Sequence, residues 1–127
     1  MNREIEFRAK DNHGKWRHGS YVKFEGLQGA IYYPIRHSEK KDYIIRTEWC
    51  YVDDETVGQY TGLRDKNGVK IFEGDIVHWK SPYGHSFTKA VGHDDACGRF
   101  TPLDVFMGYD CEVLGNIYDN PELLSTK

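Results

Sequence analysis

Thr56-Val-Gly-Gln-Tyr-Thr-Gly-Leu-Arg-Asp-Lys-Asn-Gly-Val-Lys-Ile-Phe-Glu-Gly-Asp-Ile-Val77 decides the fold. Asn67-Gly68 is the dipeptide that a two-residue type I′ hairpin turn favours, because both central residues of that turn need positive φ. Glu73-Gly74-Asp75 leads into Ile76-Val-His-Trp79, a β-branched and aromatic run that suits a strand. Turns and strands alternate here within 22 residues, which is the grammar of a small β-sheet or barrel.

The same grammar extends in both directions. Glu4-Ile-Glu-Phe-Arg-Ala-Lys10 alternates, putting Ile5, Phe7 and Ala9 on one face and Glu4, Glu6 and Arg8 on the other, so it predicts a strand with one wet face. Asp11–Gly14 turns the chain and Lys15–Phe24 can pair back. Glu25–Gly29 breaks that strand, and Ile31-Tyr-Tyr33, stopped by Pro34, reads as an edge segment or a brief strand. After the polar loop at residues 37–42 come two β-rich runs, Tyr43–Arg46 and Trp49–Val52, and then the acidic punctuation Asp53-Asp-Glu55. Beyond Trp79, Phe87–Val91 follows a Pro/Gly turn, Asp94–Gly98 forms a polar loop, and Cys111–Tyr118 is the last strand. One helical signal stands at the end: Asp119-Asn120 offers caps, Pro121 suits the first position, and Glu122 suits the positive end. Pro102–Met107 is ambiguous between helix and strand.

Composition narrows the class. At 127 residues the chain fits one domain or a barrel with an appendage, read as an N-terminal β-region at 1–52 and a barrel region at 53–127. The net charge of −3 argues against a broad nucleic-acid footprint. Residues 1–52 carry ten Lys/Arg and seven Asp/Glu, and residues 53–127 carry seven and thirteen. That split suits either internal docking or head-to-tail association. Three cysteines, Cys50, Cys97 and Cys111, cannot all pair and none stands in a C-x-x-C. With no apolar leader or membrane-length run, the expectation is a cytoplasmic protein.

Chemistry is sparse. His93, Asp94, Asp95 and Cys97 share one loop, yet structural zinc draws on close Cys/His pairs that this chain lacks, so no metal site is expected. No G-x-S-x-G or comparable nucleophile motif appears, and Gly58, Gly62 and Gly68 are spaced irregularly, with no lysine placed as in a phosphate loop. Neither catalytic nor cofactor-binding residues are therefore assigned. The best candidate surface is basic and aromatic: Arg8, Lys15, Trp16 and Arg17 near the first hairpin, with Tyr33 and Arg36 further on. Such groups can track a phosphate backbone and stack bases. Ordinary solvated strand faces have the same composition.

Val57–Gly68, Ile71-Phe-Glu-Gly-Asp-Ile-Val77, Val113–Leu124 and the opening Arg3–Ala9 together resemble the YopX family. The resemblance implies a phage or prophage setting, with the protein resident in the host cytoplasm, and a mainly β fold with an SH3-like barrel. It assigns no chemical role to any residue. The expectation is a mainly β protein with an SH3-like barrel, an additional N-terminal β-region and a short C-terminal helical turn. Its function is expected to be binding without catalysis, as a homo-oligomer, and the alternative is a nucleic-acid-binding module.

Overall fold

The computed structural model describes residues 5–36, 39, 44–80, 83–94, 99–101 and 111–124. Among them lie eleven strands and two short 3-10 turns, so the chain is mainly β. It divides into two compact units, Met1–Gln59 and Tyr60–Lys127. Counted by these units, the first carries ten basic and ten acidic side chains and the second seven and ten. The first unit is thus neutral, because Asp53, Asp54 and Glu55 fall inside it.

In the first unit, β1 (Phe7–Lys10) and β2 (Trp16–Val22) form the expected hairpin, with Lys10 opposite Trp16 and Phe7 opposite Gly19. The turn is organised by Asp11, whose carboxylate accepts from the His13 and Lys15 backbone N–H groups, both at 2.9 Å. β3 (Ala30–Arg36) pairs with β2 only through Ala30, Ile31 and Tyr32, and with β4 (Ile44–Tyr51) along its length. The order is β4-β3-β2-β1, and the first residues of β5 (Gly58–Arg64) pair with the far side of β1.

Two expectations change here. Pro34 does not stop β3: among the described residues the β2 side of the strand has no ladder past Tyr32, so a missing N–H costs nothing there. The two runs at 43–46 and 49–52 are one strand from Ile44, with a register shift between Ile35 and Arg36 in β3 that leaves Ile45 as the extra residue opposite. The inward face buries Ala9, Ile31 and Val52, with Phe7, Tyr21, Tyr33, Cys50 and Val57 packed against them. A 3-10 turn at Asp54–Thr56 follows, capped by the Asp53 carboxylate on the Glu55 N–H.

In the second unit, β5 pairs with β6 (Lys70–Phe72). The turn between them differs from the two-residue type I′ expected. Gly68 N–H donates to Asp65 O at 3.0 Å and Asp65 N–H to Val69 O at 2.8 Å, so Gly68, at φ +84°, closes a longer loop instead of sitting at its centre. The cause is Asp65, whose carboxylate accepts from the Asn67 and Val69 N–H groups and draws the turn one residue earlier. Glu73-Gly74 then turns β6 into β7 (Asp75–Lys80), with the Asp75 carboxylate accepting from the Phe72 N–H at 2.8 Å.

A three-stranded antiparallel sheet follows in the order β11-β7-β8, from β11 (Cys111–Asn116) and β8 (Ser86–Ala90) on either side of β7. β9 (Gly92–Asp94) and β10 (Arg99–Thr101) pair with each other. The core is Ile71, Val77, Val91 and Cys111, flanked by Leu63, Trp79 and Val113. The second 3-10 turn, Pro121–Leu124, is the helical end expected from the sequence, although Leu124 stays exposed and only Leu123 is half-buried.

A closed barrel needs every strand to have two neighbours. Among the described residues β8 and β11 each have β7 alone, so the sheet is open and the expected SH3-like barrel is not closed. Pro102–Met107 lies outside the described residues.

Candidate functional site

Strand register sorts the first unit's side chains. Phe7, Ala9, Arg17, Tyr21, Ile31, Tyr33 and Cys50 share one parity across β1 to β4, and this is the face that holds the core. Arg8, Lys10, Trp16, Tyr32, Trp49 and Tyr51 share the other, which looks outward.

The outward face is rich in unburied apolar surface. Tyr32 stands directly opposite Trp49, and their rings stack at 6.1 Å and 29°, while Trp49 meets Tyr51 edge-on at 5.0 Å and 85°. Ala30, opposite Tyr51, is small enough to leave a hollow between the aromatic rows. The β2–β3 turn supplies a wall: Leu27 N–H donates to Phe24 O at 3.0 Å, holding both side chains at the rim. The resulting groove encloses about 360 Å³. Its walls remain open to solvent, with Phe24 65%, Leu27 60%, Trp49 49% and Tyr51 48% exposed. Apolar side chains gathered into one exposed patch in this way are distinct from the single exposed hydrophobics scattered over most surfaces.

At the β1 end of the same face, the Arg8 guanidinium lies 4.7 Å and the Lys10 ammonium 5.6 Å from the Trp16 ring centre. Arg36 is exposed at the far end of β3, and Lys15 is exposed in the β1–β2 turn. The other two candidates face the opposite way. The Arg17 guanidinium covers the Tyr33 ring at 5.5 Å, and its Nε donates to Asp11 at 3.0 Å. The six residues named from the sequence are therefore split: Arg8 and Trp16 together, Arg17 and Tyr33 together on the inner face, Lys15 and Arg36 apart.

Carboxylates cluster beside the turn. Asp11, Asp53, Asp54 and Glu55 border a hollow of about 470 Å³. Three of them have structural work: Asp53 caps the 3-10 turn, Asp11 holds the hairpin, and Asp54 accepts from the Tyr21 hydroxyl at 2.6 Å, Lys23 at 3.0 Å and the Gly29 N–H at 3.1 Å. The Lys15 N–H, helped by Arg17 and against its burial, lowers the Asp11 carboxyl to about 2. Tyr21 is pushed up to about 12, by burial first and then by its bond to Asp54. Among the described residues no three His, Cys, Asp or Glu side chains are placed to hold a metal. Asp95 and Cys97 lie outside the described residues, and so do the side chains of His93 and Asp94. Cys50 and Cys111 are free thiols.

The groove was not singled out from sequence. Its signal was present in the parity of Trp49 and Tyr51 on one run, but Phe24 and Leu27 sit in a turn that carries no periodicity.

A family model described as YopX protein matches residues 6–125. The chain is also similar to the crystal structure of protein EF1440 from Enterococcus faecalis, at 29% identity and a TM-score of 0.60 over 97% of this chain and 99% of that one. No curated protein matches. Among the described residues no helix is long and apolar enough to cross a membrane.

Proposed function

The chain belongs to the YopX family, and from that footing we propose a non-enzymatic accessory protein of a phage or prophage that works by binding and assembles as a homo-oligomer. One observation carries the reading: the aromatic surface the fold leaves unspent lies on and beside an edge strand. Trp49 and Tyr51 project from β4, Tyr32 from its neighbour, and among the described residues β4 has no strand on its outer side. Desolvating rings of this kind form the centre of many protein contacts, and an open edge is a ready place for a second copy. The neutral first unit makes apolar contact, with charges at the rim, the better-supported basis for assembly than attraction between charged halves.

Light scattering at micromolar concentration tests this. The expected mass is a defined multiple of 14.8 kDa, lowered by Trp49→Ser at unchanged melting temperature. A mass of one chain under all conditions overturns the proposal.

The nucleic-acid alternative keeps one supporting observation, the Arg8–Trp16–Lys10 stack on the outward face. It requires single-stranded DNA or RNA to bind with an affinity that falls steeply with salt.

A further inference from the structure

β4 carries a pattern that its neighbours do not. Arg46-Thr47-Glu48 is flanked by Ile45 on one side and Trp49 on the other, so the strand reads the same in both directions with its charge inverted. Two copies running antiparallel and centred on Thr47 would place Arg46 opposite the partner's Glu48, Thr47 opposite the partner's Thr47, and Glu48 opposite the partner's Arg46. Opposite-charge and Thr–Thr pairs across an antiparallel ladder stabilise it, and like charges directly opposite oppose it. Centring the pair one residue later would set Glu48 against the partner's Glu48.

The groups needed are available. Arg46 and Glu48 share the inward parity at the rim of the sheet, 2.8 Å apart, with 60% and 41% of their side chains exposed. Their present bond joins residues two apart on one strand, so a second copy offers each ion an additional opposite charge. Thr47 is exposed on the outward parity beside Trp49. The extra residue at Ile45 limits the regular ladder to the central residues, which brings Trp49 opposite the bulged position of the partner.

We infer that β4 pairs with β4 of a second copy, antiparallel about a two-fold axis at Thr47. The contact is isologous, so it closes at two chains. The inference rests on the homo-oligomer proposed above and adds its register.

Complementation tests it. In Arg46→Glu every cross-copy pair becomes Glu against Glu, and in Glu48→Arg every pair becomes Arg against Arg. Each variant alone should dimerise at least roughly tenfold more weakly than the parent. Mixed one to one, each Glu faces an Arg and the heterodimer should form. The pair within each chain stays like-charged after mixing, so rescue can come only from across the copies. Native mass spectrometry reads all three species, and melting curves establish that each variant is folded. Separately, Thr47→Cys in a Cys50→Ser background should cross-link on mild oxidation, because opposed residues of an antiparallel pair lie about 4.5–5.5 Å apart at Cα, within disulfide range. If the parent oligomer is unaffected by either charge reversal, or mixing gives no rescue, the register is overturned and the oligomer stands. If the parent is a single chain throughout, both proposals fall.

Discussion

Asp65 is the residue whose loss should be felt furthest. Its side chain is buried, and its carboxylate accepts three backbone N–H groups: Asn67 at 2.8 Å and Val69 at 2.9 Å within its own turn, and Val113 at 2.9 Å from β11. Asp65→Ala removes all three at once. A hydrogen bond to a charged group contributes about 1.5–3 kcal/mol, and a buried N–H left without a partner costs about 1–3 kcal/mol. The three are not additive, since the turn N–H groups can turn to water while that of Val113 is held in the ladder. The expected loss is about 3 kcal/mol, or a fall in Tm of roughly 10–15 °C for a chain of this size. Asp65→Asn keeps an acceptor oxygen but not the charge, and should lose about half as much. Burial alone would raise the Asp65 carboxyl, but the bonds from Val113, Val69 and Asn67 hold it below the usual carboxylate value. Its contribution is therefore complete above the unfolded carboxylate range near pH 4 and is lost as pH falls through the lower, folded value. Urea unfolding of the three proteins between pH 7 and pH 3 measures this, and the Asn variant should show the shallower acid dependence. A loss under about 1 kcal/mol for Asp65→Ala, or equal losses for Ala and Asn, would refute the bridging role.

Gly68 and Gly74 both lie at positive φ, +84° and +88°, but only at Gly74 would a Cβ meet a neighbour, the Tyr118 ring at 3.2 Å. Gly68→Val should cost roughly 1–2 kcal/mol of strain, and Gly74→Ala should lower Tm more than Gly68→Ala; the reverse order would reject the packing argument. In thiol titration of the reduced protein Cys111 should react last, because it is 1% exposed in the second unit's core, while burial raises the half-buried Cys50 thiol despite Arg17 nearby. Elemental analysis of the same sample should find no stoichiometric zinc. Single-stranded DNA should bind weakly or not at all at physiological salt; submicromolar affinity, abolished by replacing Lys15 and Trp16 together, would favour the alternative function.

The locally encoded parts of the fold were legible in the sequence. The β1–β2 hairpin, the β7–β8 pair and the terminal Pro121 turn each depend on residues a few positions apart. What was lost depends on distant pairing. Pro34 looks like a strand breaker until the β2–β3 ladder is known to end at Tyr32, and the open sheet cannot be told from a closed barrel by alternation, which is the same in both. The site followed the same division. Arg8 and Trp16 fall together because hairpin register is local, whereas Arg17 and Tyr33 turn inward by a parity that only the assembled sheet sets.

Asp54 gives the aromatic groove an unexpected dependence on acidity. Its carboxylate ties Tyr21 in β2, Lys23 and Gly29 at the two ends of the turn that carries Phe24 and Leu27. The Tyr21 hydroxyl and then Lys23 hold that carboxyl below its ordinary value, and the phenol keeps its proton up to about pH 12. Across neutral pH the rim is therefore prearranged, and the partner proposed above would find its ordering entropy already spent. Below the carboxylate range the tether is neutralised while the β3–β4 ladder is untouched, so receptivity and foldedness should part company: the sheet outlasts its own groove.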